Sequence, residues 1–298
     1  GIHVKEQIEN LKCQFSISAK IYFINGKRSK LNYLRSVICI NYLILTKKID
    51  LIHIHFGLSG LFLLFNPFIK TPTILTLHGS DINTTSKIIK WIIAKVISRC
   101  NRIIIMNADM THKINSKIKN IDIIPCGVDL NLFKQIKKTP KSKICIGFPG
   151  NPARKEKNYG LFCDVISLLK INGFDVESVI FHQLTREKVM QNLNEIDVLL
   201  LTSLSEGSPQ IVKEALACNA SIVSVPVGDV KKMLADLGNC KVTLHHDAKE
   251  LYNGVLQVLA LKMFENTFSG RERIIQLKLD QESISNKIYT MYKKVLND

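Results

Sequence analysis

The chain has 298 residues, 46% of them hydrophobic and 22% charged, with a formal net charge of +16. That length suits two α/β domains, and that composition argues against disorder. The lysines are scattered at the ends of apolar segments rather than gathered in a tail. The charge therefore reads as solvated surface or as attraction to an anionic bilayer, and nucleic acid is excluded for want of any motif or aromatic-basic interleaving.

In chain order, a helical pattern at 3–12 opens the sequence with no strand before it. Strand-length apolar blocks follow at 18–24, 51–56, 73–77, 102–106 and 121–124. Helical patterns separate them at 30–47, 59–65, 86–99 and 108–118, with Ser86 placed as an N-cap. Across 127–143 periodicity fails, as it does in a linker. The alternation resumes with strands at 143–148, 176–181, 196–201, 221–225 and 241–244. Helices are expected at 157–171, 186–193, 209–218, 229–237, 249–264 and 281–296.

The fold class is thus α/β: two tandem doubly wound, Rossmann-like domains, the first lacking its opening strand and glycine-rich turn. The expected division is a first Rossmann-like domain at 1–138, a second at 139–280, and a C-terminal helix at 281–298 packing back toward the first domain. Eight cysteines without a Cys-x-x-Cys pair point to reduced thiols and the cytoplasm. No signal peptide is read. The apolar run at 57–69 is too short to span a bilayer and reads as a buried helix, with an interfacial helix as the alternative.

Three segments carry chemistry. In Leu201-Thr-Ser-Leu-Ser-Glu-Gly-Ser-Pro-Gln-Ile-Val-Lys-Glu-Ala215, Glu206 and Glu214 flank a strand-to-helix junction. Gly207 and Ser208 let a diphosphate approach the N–H groups of a helix beginning at Pro209 and Gln210. Glu206 would face a sugar there, and Glu214 is suited to accept two ribose hydroxyls. In Gly147-Phe-Pro-Gly-Asn-Pro-Ala-Arg-Lys-Glu-Lys-Asn158, Arg154 and Lys157 stand at a loop mouth. They either neutralise a leaving phosphate or simply begin a charged helix. In Thr76-Leu-His-Gly-Ser-Asp81, His78 ends a strand where ligands of open sheets bind, and Asp81 either caps the next helix or meets a substrate. His53 and His55 share one strand face, lining a crevice or filling a polar gap. No carboxylate or thiolate pattern supports a metal beside them.

With those pieces in place the chain resembles the family-4 (group 1) retaining glycosyltransferases of the two-domain GT-B fold. It is most similar in flavour to bacterial enzymes of exopolysaccharide, capsule and teichuronic-acid assembly. The resemblance rests on Asp50-Leu-Ile-His-Ile-His-Phe-Gly57, His78-Gly-Ser-Asp81, Ile124-Pro-Cys-Gly-Val-Asp129, Arg154-Lys-Glu-Lys-Asn158 and the Glu206-x7-Glu214 element. It implies a retaining hexosyltransferase that moves a sugar from a UDP or GDP donor to a glycan or lipid-linked acceptor.

By resemblance, Glu214 holds the ribose, while Glu206 and the backbone of 207–210 hold the sugar and diphosphate. Arg154 and Lys157 hold the phosphates, and the base rests near His182 and Leu184. His78 lies close to the reacting centre and counts with Arg154, Lys157 and Glu206 as catalytic, while His55 and Asp81 serve the acceptor side. No metal and no cofactor are implied, the nucleotide sugar being a substrate. The expected place is the cytoplasm, at the inner face of the cell membrane. Asn219, Ser221 and Cys126 depart from the family pattern. The alternatives are a nucleotide-sugar epimerase of the same fold and a truncated, inactive nucleotide-sugar-binding relative.

Overall fold

A computed structural model describes residues 2–26, 28–79, 81–114, 120–137, 141–261 and 269–297. The chain divides into two compact units, Gly1–Cys126 with Ile284–Asp298, and Gly127–Ser283.

The first unit opens with helices α1 (Ile2–Phe15) and α2 (Leu31–Thr46). Its sheet comprises β1 (Ile52–His55), β2 (Thr73–Leu77), β3 (Arg102–Ile105) and β4 (Ile121–Ile123), all parallel and in sequence order, with α3 (Lys87–Ile97) between β2 and β3. Ser86 caps α3 as expected, its side chain accepting from Ile89 N–H. Strands this rich in isoleucine, buried along β2 and β3, are what a covered parallel sheet requires.

Three sequence expectations need correction here. The block at 18–24 pairs with no described strand; Ile21, Tyr22 and Phe23 are exposed, and apolar content without a ladder partner does not make a strand. The helices expected at 59–65 and 108–118 are 3-10 helices, Gly57–Phe65 and Ala108–Lys113, and residues 115–118 lie outside the described set. Phe62 and Leu63 of the first are fully buried, which accounts for the apolarity of that run.

The second unit runs β5 (Ile144–Phe148), α4 (Tyr159–Ile171), β6 (Val176–Ile180), α5 (Arg186–Glu195), β7 (Val198–Leu201) and α6 (Gln210–Ala217). It continues with β8 (Ile222–Ser224), α7 (Val230–Leu234), β9 (Cys240–Val242), α8 (Ala248–Leu261) and α9 (Gly270–Gln276). Of the helix expected at 249–264, residues 262–264 lie outside the described set, and α9 was not expected at all. The parallel sheet has order β6-β5-β7-β8-β9, so the chain winds out from β5 to β6 and then restarts at β7 on the other side of β5. That reversal is a topological switch point, and the loops after β5 and β7 border it.

Val128 and Phe133 are fully buried in the second core, so the aperiodic stretch at 127–137 packs with the second unit. The last helix, α10 (Gln281–Asn297), places Ile284, Ile288, Met291 and Val295 in the first core. There Tyr289 stacks on Phe15 at 4.0 Å, and Asn10 donates to Ser285 Oγ at 2.8 Å. Among the described residues no helix is long and apolar enough to cross a membrane.

Candidate donor and acceptor sites

Two loops meet at the switch point of the second sheet. After β5 the chain turns at Gly150 (φ +144°), and the Lys157 stem lies across that glycine. A β-carbon at Gly150 would sit 3.1 Å from Lys157 Cε, and its backbone conformation is one that side chains strain to adopt. After β7, the buried Thr202 donates to the carbonyls of Lys157 and Asn158, at 3.1 Å each. Leu204 N–H donates to Glu156 O at 2.9 Å. These bonds tie the loops together and bring Lys157 and Glu206, 49 residues apart, into contact.

Lys157 Nζ donates to Glu206 Oε1 at 2.7 Å, and Ser203 Oγ donates to the same oxygen at 2.8 Å. The two charged side chains are only 13% and 16% exposed, so their ion pair is less screened than a surface pair. Gly207 and Ser208 then lead to Pro209 and the N-terminus of α6, whose first N–H groups lack intrahelical acceptors. Gly228 (φ +52°) presses its backbone against the carbonyls of Glu206 and Gly207, with no room for a side chain. This is the second position where glycine is required.

Within α6 the side chains turn inward. Glu214 is 2% exposed and meets Arg186 Nη1 at 2.8 Å, as an ion pair off the ideal hydrogen-bond direction. Arg186 also lies over the Phe133 ring, 4.7 Å from its centroid. Lys213 is fully buried and donates to Ser208 Oγ at 3.1 Å. Burial raises the Asp229 carboxyl above its ordinary pKa, against the opposing pull of Ser208 and Lys213. Gln210 Nε2 donates to Gly127 O at 2.8 Å, so its side chain is already engaged.

Asn219 takes the left-handed conformation after α6 (φ +55°) that a glycine would otherwise supply. Burial, with the nearby Glu214, pushes the Cys218 thiol up to about 12, so it stays protonated.

The other residues named for this site stand apart from the pair. Arg154 gives Nε and Nη2 to Glu156 Oε1, at 2.9 and 2.6 Å, on the surface. His182 is exposed and Leu184 half-buried in the loop after β6, at the same carboxyl edge of the sheet. Ser203, Arg186, Lys213, Gly228 and Asp229 were missed from sequence. Of these only Gly228-Asp229, directly following a strand block, had a readable signal.

In the first unit, imidazoles gather at the carboxyl ends of β1 and β2. His55 Nδ1 lies 3.2 Å from His78 Nε2, and His53 stacks on His55 with ring centroids 4.3 Å apart. His53 reaches the Tyr292 hydroxyl at 2.6 Å and Thr76 Oγ1 at 2.7 Å. Burial lowers the His53 pKa to about 3 and the His78 pKa to about 4, and takes His55 well below its ordinary value. All three rings are therefore neutral at physiological pH, each able to donate from one nitrogen and accept at the other.

Asp81 is not a helix cap. Its carboxylate accepts from Gly57 N–H at 3.1 Å and His78 N–H at 3.0 Å, joining the loops that follow β1 and β2. Its neighbour Ser80 lies outside the described residues. Among the described residues, no group of three or more His, Cys, Asp or Glu is arranged to hold a metal ion.

Residues 9–132 match the model of Glycosyltransferase Family 4. A Bacillus subtilis (strain 168) protein, TuaC, named as a glycosyltransferase of teichuronic acid biosynthesis, is 25% identical over 214 residues. That match takes in 62% of this chain and 55% of TuaC, so the chain spans about half the length of the curated relative it matches. Among solved structures, the sucrose-phosphate synthase of Thermosynechococcus elongatus superposes with a TM-score of 0.76 at 16% identity, over 94% of this chain and 82% of that one. The Anabaena protein HepE, solved with UDP-glucose, gives 0.71 at 16%, over 96% of this chain and 88% of that one. The resemblance to the family-4 glycosyltransferases thus holds, and the fold is GT-B.

Proposed function

We propose that this chain is a retaining glycosyltransferase that moves a hexose from a UDP or GDP donor to a glycan or lipid-linked acceptor, in the assembly of a bacterial surface polysaccharide. The observation that carries this reading is the meeting of Lys157 and Glu206 at the switch point, before the N-terminus of α6. A cation, a carboxylate and a helix N-terminus preceded by Gly207 and Ser208 suit a sugar diphosphate. The names of TuaC and HepE's ligand point to the same chemistry.

In this reading Lys157 leaves Glu206 for the β-phosphate, and Glu206 turns to the sugar hydroxyls. Arg154 joins Lys157 at little cost, since an exposed ion pair such as Arg154–Glu156 contributes about 0–1 kcal/mol. Gly207, Ser208, Pro209 and Gln210 offer backbone to the diphosphate, and Glu214 accepts the ribose hydroxyls. His182 and Leu184 border the base. His55, His78 and Asp81 of the first unit are assigned to the acceptor.

The acceptor oxygen bonds to the anomeric carbon on the face from which the phosphate oxygen departs. The acceptor proton passes to that departing diphosphate. Positioning and leaving-group stabilisation then supply the catalysis, without a metal or a cofactor. We place the chain in the cytoplasm, against the inner face of the cell membrane, on its basic charge and on cysteines that form no disulfide among the described residues.

The test is a panel of UDP- and GDP-sugars with a lipid-linked acceptor pool, with and without a chelator, read by mass spectrometry. Transfer to an acceptor with release of nucleoside diphosphate, unaffected by chelation, is expected. An epimerised sugar with no modified acceptor, or donor binding without turnover, contradicts it.

A further inference from the structure

Helix α2 has two apolar faces. Ser36 is buried, and Val37, Ile40 and Ile44 pack against the first core. On the opposite side Leu31, Leu34, Ile38, Tyr42 and Leu45 recur at spacings of three and four, which aligns them in one stripe. They are 61%, 54%, 75%, 65% and 81% exposed. A helix that meets only water carries polar side chains along such a face.

The stripe does not stand alone. Asn66 Nδ2 donates to Asn41 Oδ1 at 2.9 Å, which holds the end of the 3-10 helix at Phe65, and the start of the loop that carries the 87%-exposed Phe68, beside α2. Ahead of α2 in the chain, Ile21, Tyr22 and Phe23 are exposed as well. An apolar surface of this extent marks an interaction site rather than chance exposure.

The charges say what it meets. Arg28 and Lys30 precede α2, Arg35 lies within it, Lys47 and Lys48 follow it, and no Asp or Glu occurs between Glu9 and Asp50. Across a two-fold contact between copies, these cations would face their own kind. An anionic bilayer complements both features: acyl chains take the stripe, and headgroups take the lysines and arginines. At sixteen residues α2 is about 24 Å long, short of the ~30 Å hydrocarbon layer, so it lies in the surface and does not cross it.

We infer that α2 is the surface by which this protein docks on an anionic membrane, with Leu31, Leu34, Ile38, Tyr42 and Leu45 entering the acyl boundary. This rests on the membrane placement proposed above and is independent of the sugar chemistry.

The test is flotation of the full chain with phosphatidylcholine vesicles, with and without phosphatidylglycerol, the fold of each variant being checked by circular dichroism. Binding is expected only with phosphatidylglycerol, and is expected to weaken as salt rises. Ile38→Glu should lower partitioning about tenfold or more, and Arg35→Glu about fivefold. Leu244→Glu, at an exposed apolar position of the second unit, should leave it unchanged. No flotation of the folded wild type overturns both the membrane placement and this assignment. Equal binding by Ile38→Glu overturns the α2 assignment alone. So does a lipid-free dimer that Ile38→Glu converts to monomer, because the stripe then belongs to a second copy.

Discussion

The two units use opposite means to present polar groups at the carboxyl edge of a parallel sheet. In the second, Lys157 and Glu206 are paired at 2.7 Å beside a helix N-terminus, at the point where the strand order reverses. In the first, the described strands run in sequence order without a reversal, and the polar groups are imidazoles that burial holds neutral. Among the described residues no carboxylate pairs with those rings, and Asp81 is occupied by the N–H groups of Gly57 and His78. A site of paired charges can exchange one partner for a phosphate. A neutral cluster can only give and take hydrogen bonds, which fits hydroxyls rather than phosphates.

The contrast is broken most directly at Lys157. Lys157→Ala strands a mostly buried carboxylate and removes the cation offered to the donor, so donor affinity should fall about 100-fold, or ~3 kcal/mol. Calorimetry with a UDP- or GDP-sugar that the wild type binds measures it.

Acid separates the units next. In the unfolded chain the imidazoles titrate near 6.5, and in the folded first unit His53 and His78 do so at about 3 and 4. Between those values the unfolded state holds more protons, so stability present above pH 6.5 is lost as pH falls and levels off below about pH 3. By pH 5 each of these two rings should cost about 2 kcal/mol, roughly 4 kcal/mol together. Hydrogen exchange corrected for its intrinsic pH dependence should show β1 and β2 opening while β7 and β8 stay protected. His53→Gln should flatten this response; equal opening of both sheets would contradict the cause.

A smaller effect is expected at Gly228. Gly228→Ala would push a methyl group into the Gly207 carbonyl from a left-handed backbone, destabilising the second unit by about 2 kcal/mol. Thermal denaturation checks that. At the small end, Arg154→Ala removes only an exposed pair with Glu156, and stability should change by less than about 0.5 kcal/mol.

Sequence periodicity carried the elements of the second unit well, because each of its strands is a short apolar block between helices of ordinary length. It misread 18–24, where apolar content has no ladder to join, and two 3-10 helices whose apolar spacing resembles that of an α-helix. The spacing of Glu206 and Glu214 was legible because it is local to one strand, one loop and one helix. Arg186 was not, since it belongs to a different helix and meets Glu214 only through the packing of α5 on α6. Lys213 escaped for a related reason: a lysine on a short helix reads as solvated, and its full burial follows from tertiary neighbours such as Ser208 and Asp229. Asp81 was given two roles from sequence, and the structure shows a third, joining two loops through their backbone.

The central claim is a division of labour, with the donor held by the second unit and the acceptor served by the first. Measuring donor affinity and turnover side by side for Lys157→Ala and His78→Ala tests it most directly. Lys157→Ala should lose donor binding, while His78→Ala should bind donor as the wild type does and lose transfer. Unchanged donor affinity in Lys157→Ala, or lost donor affinity in His78→Ala, would contradict it.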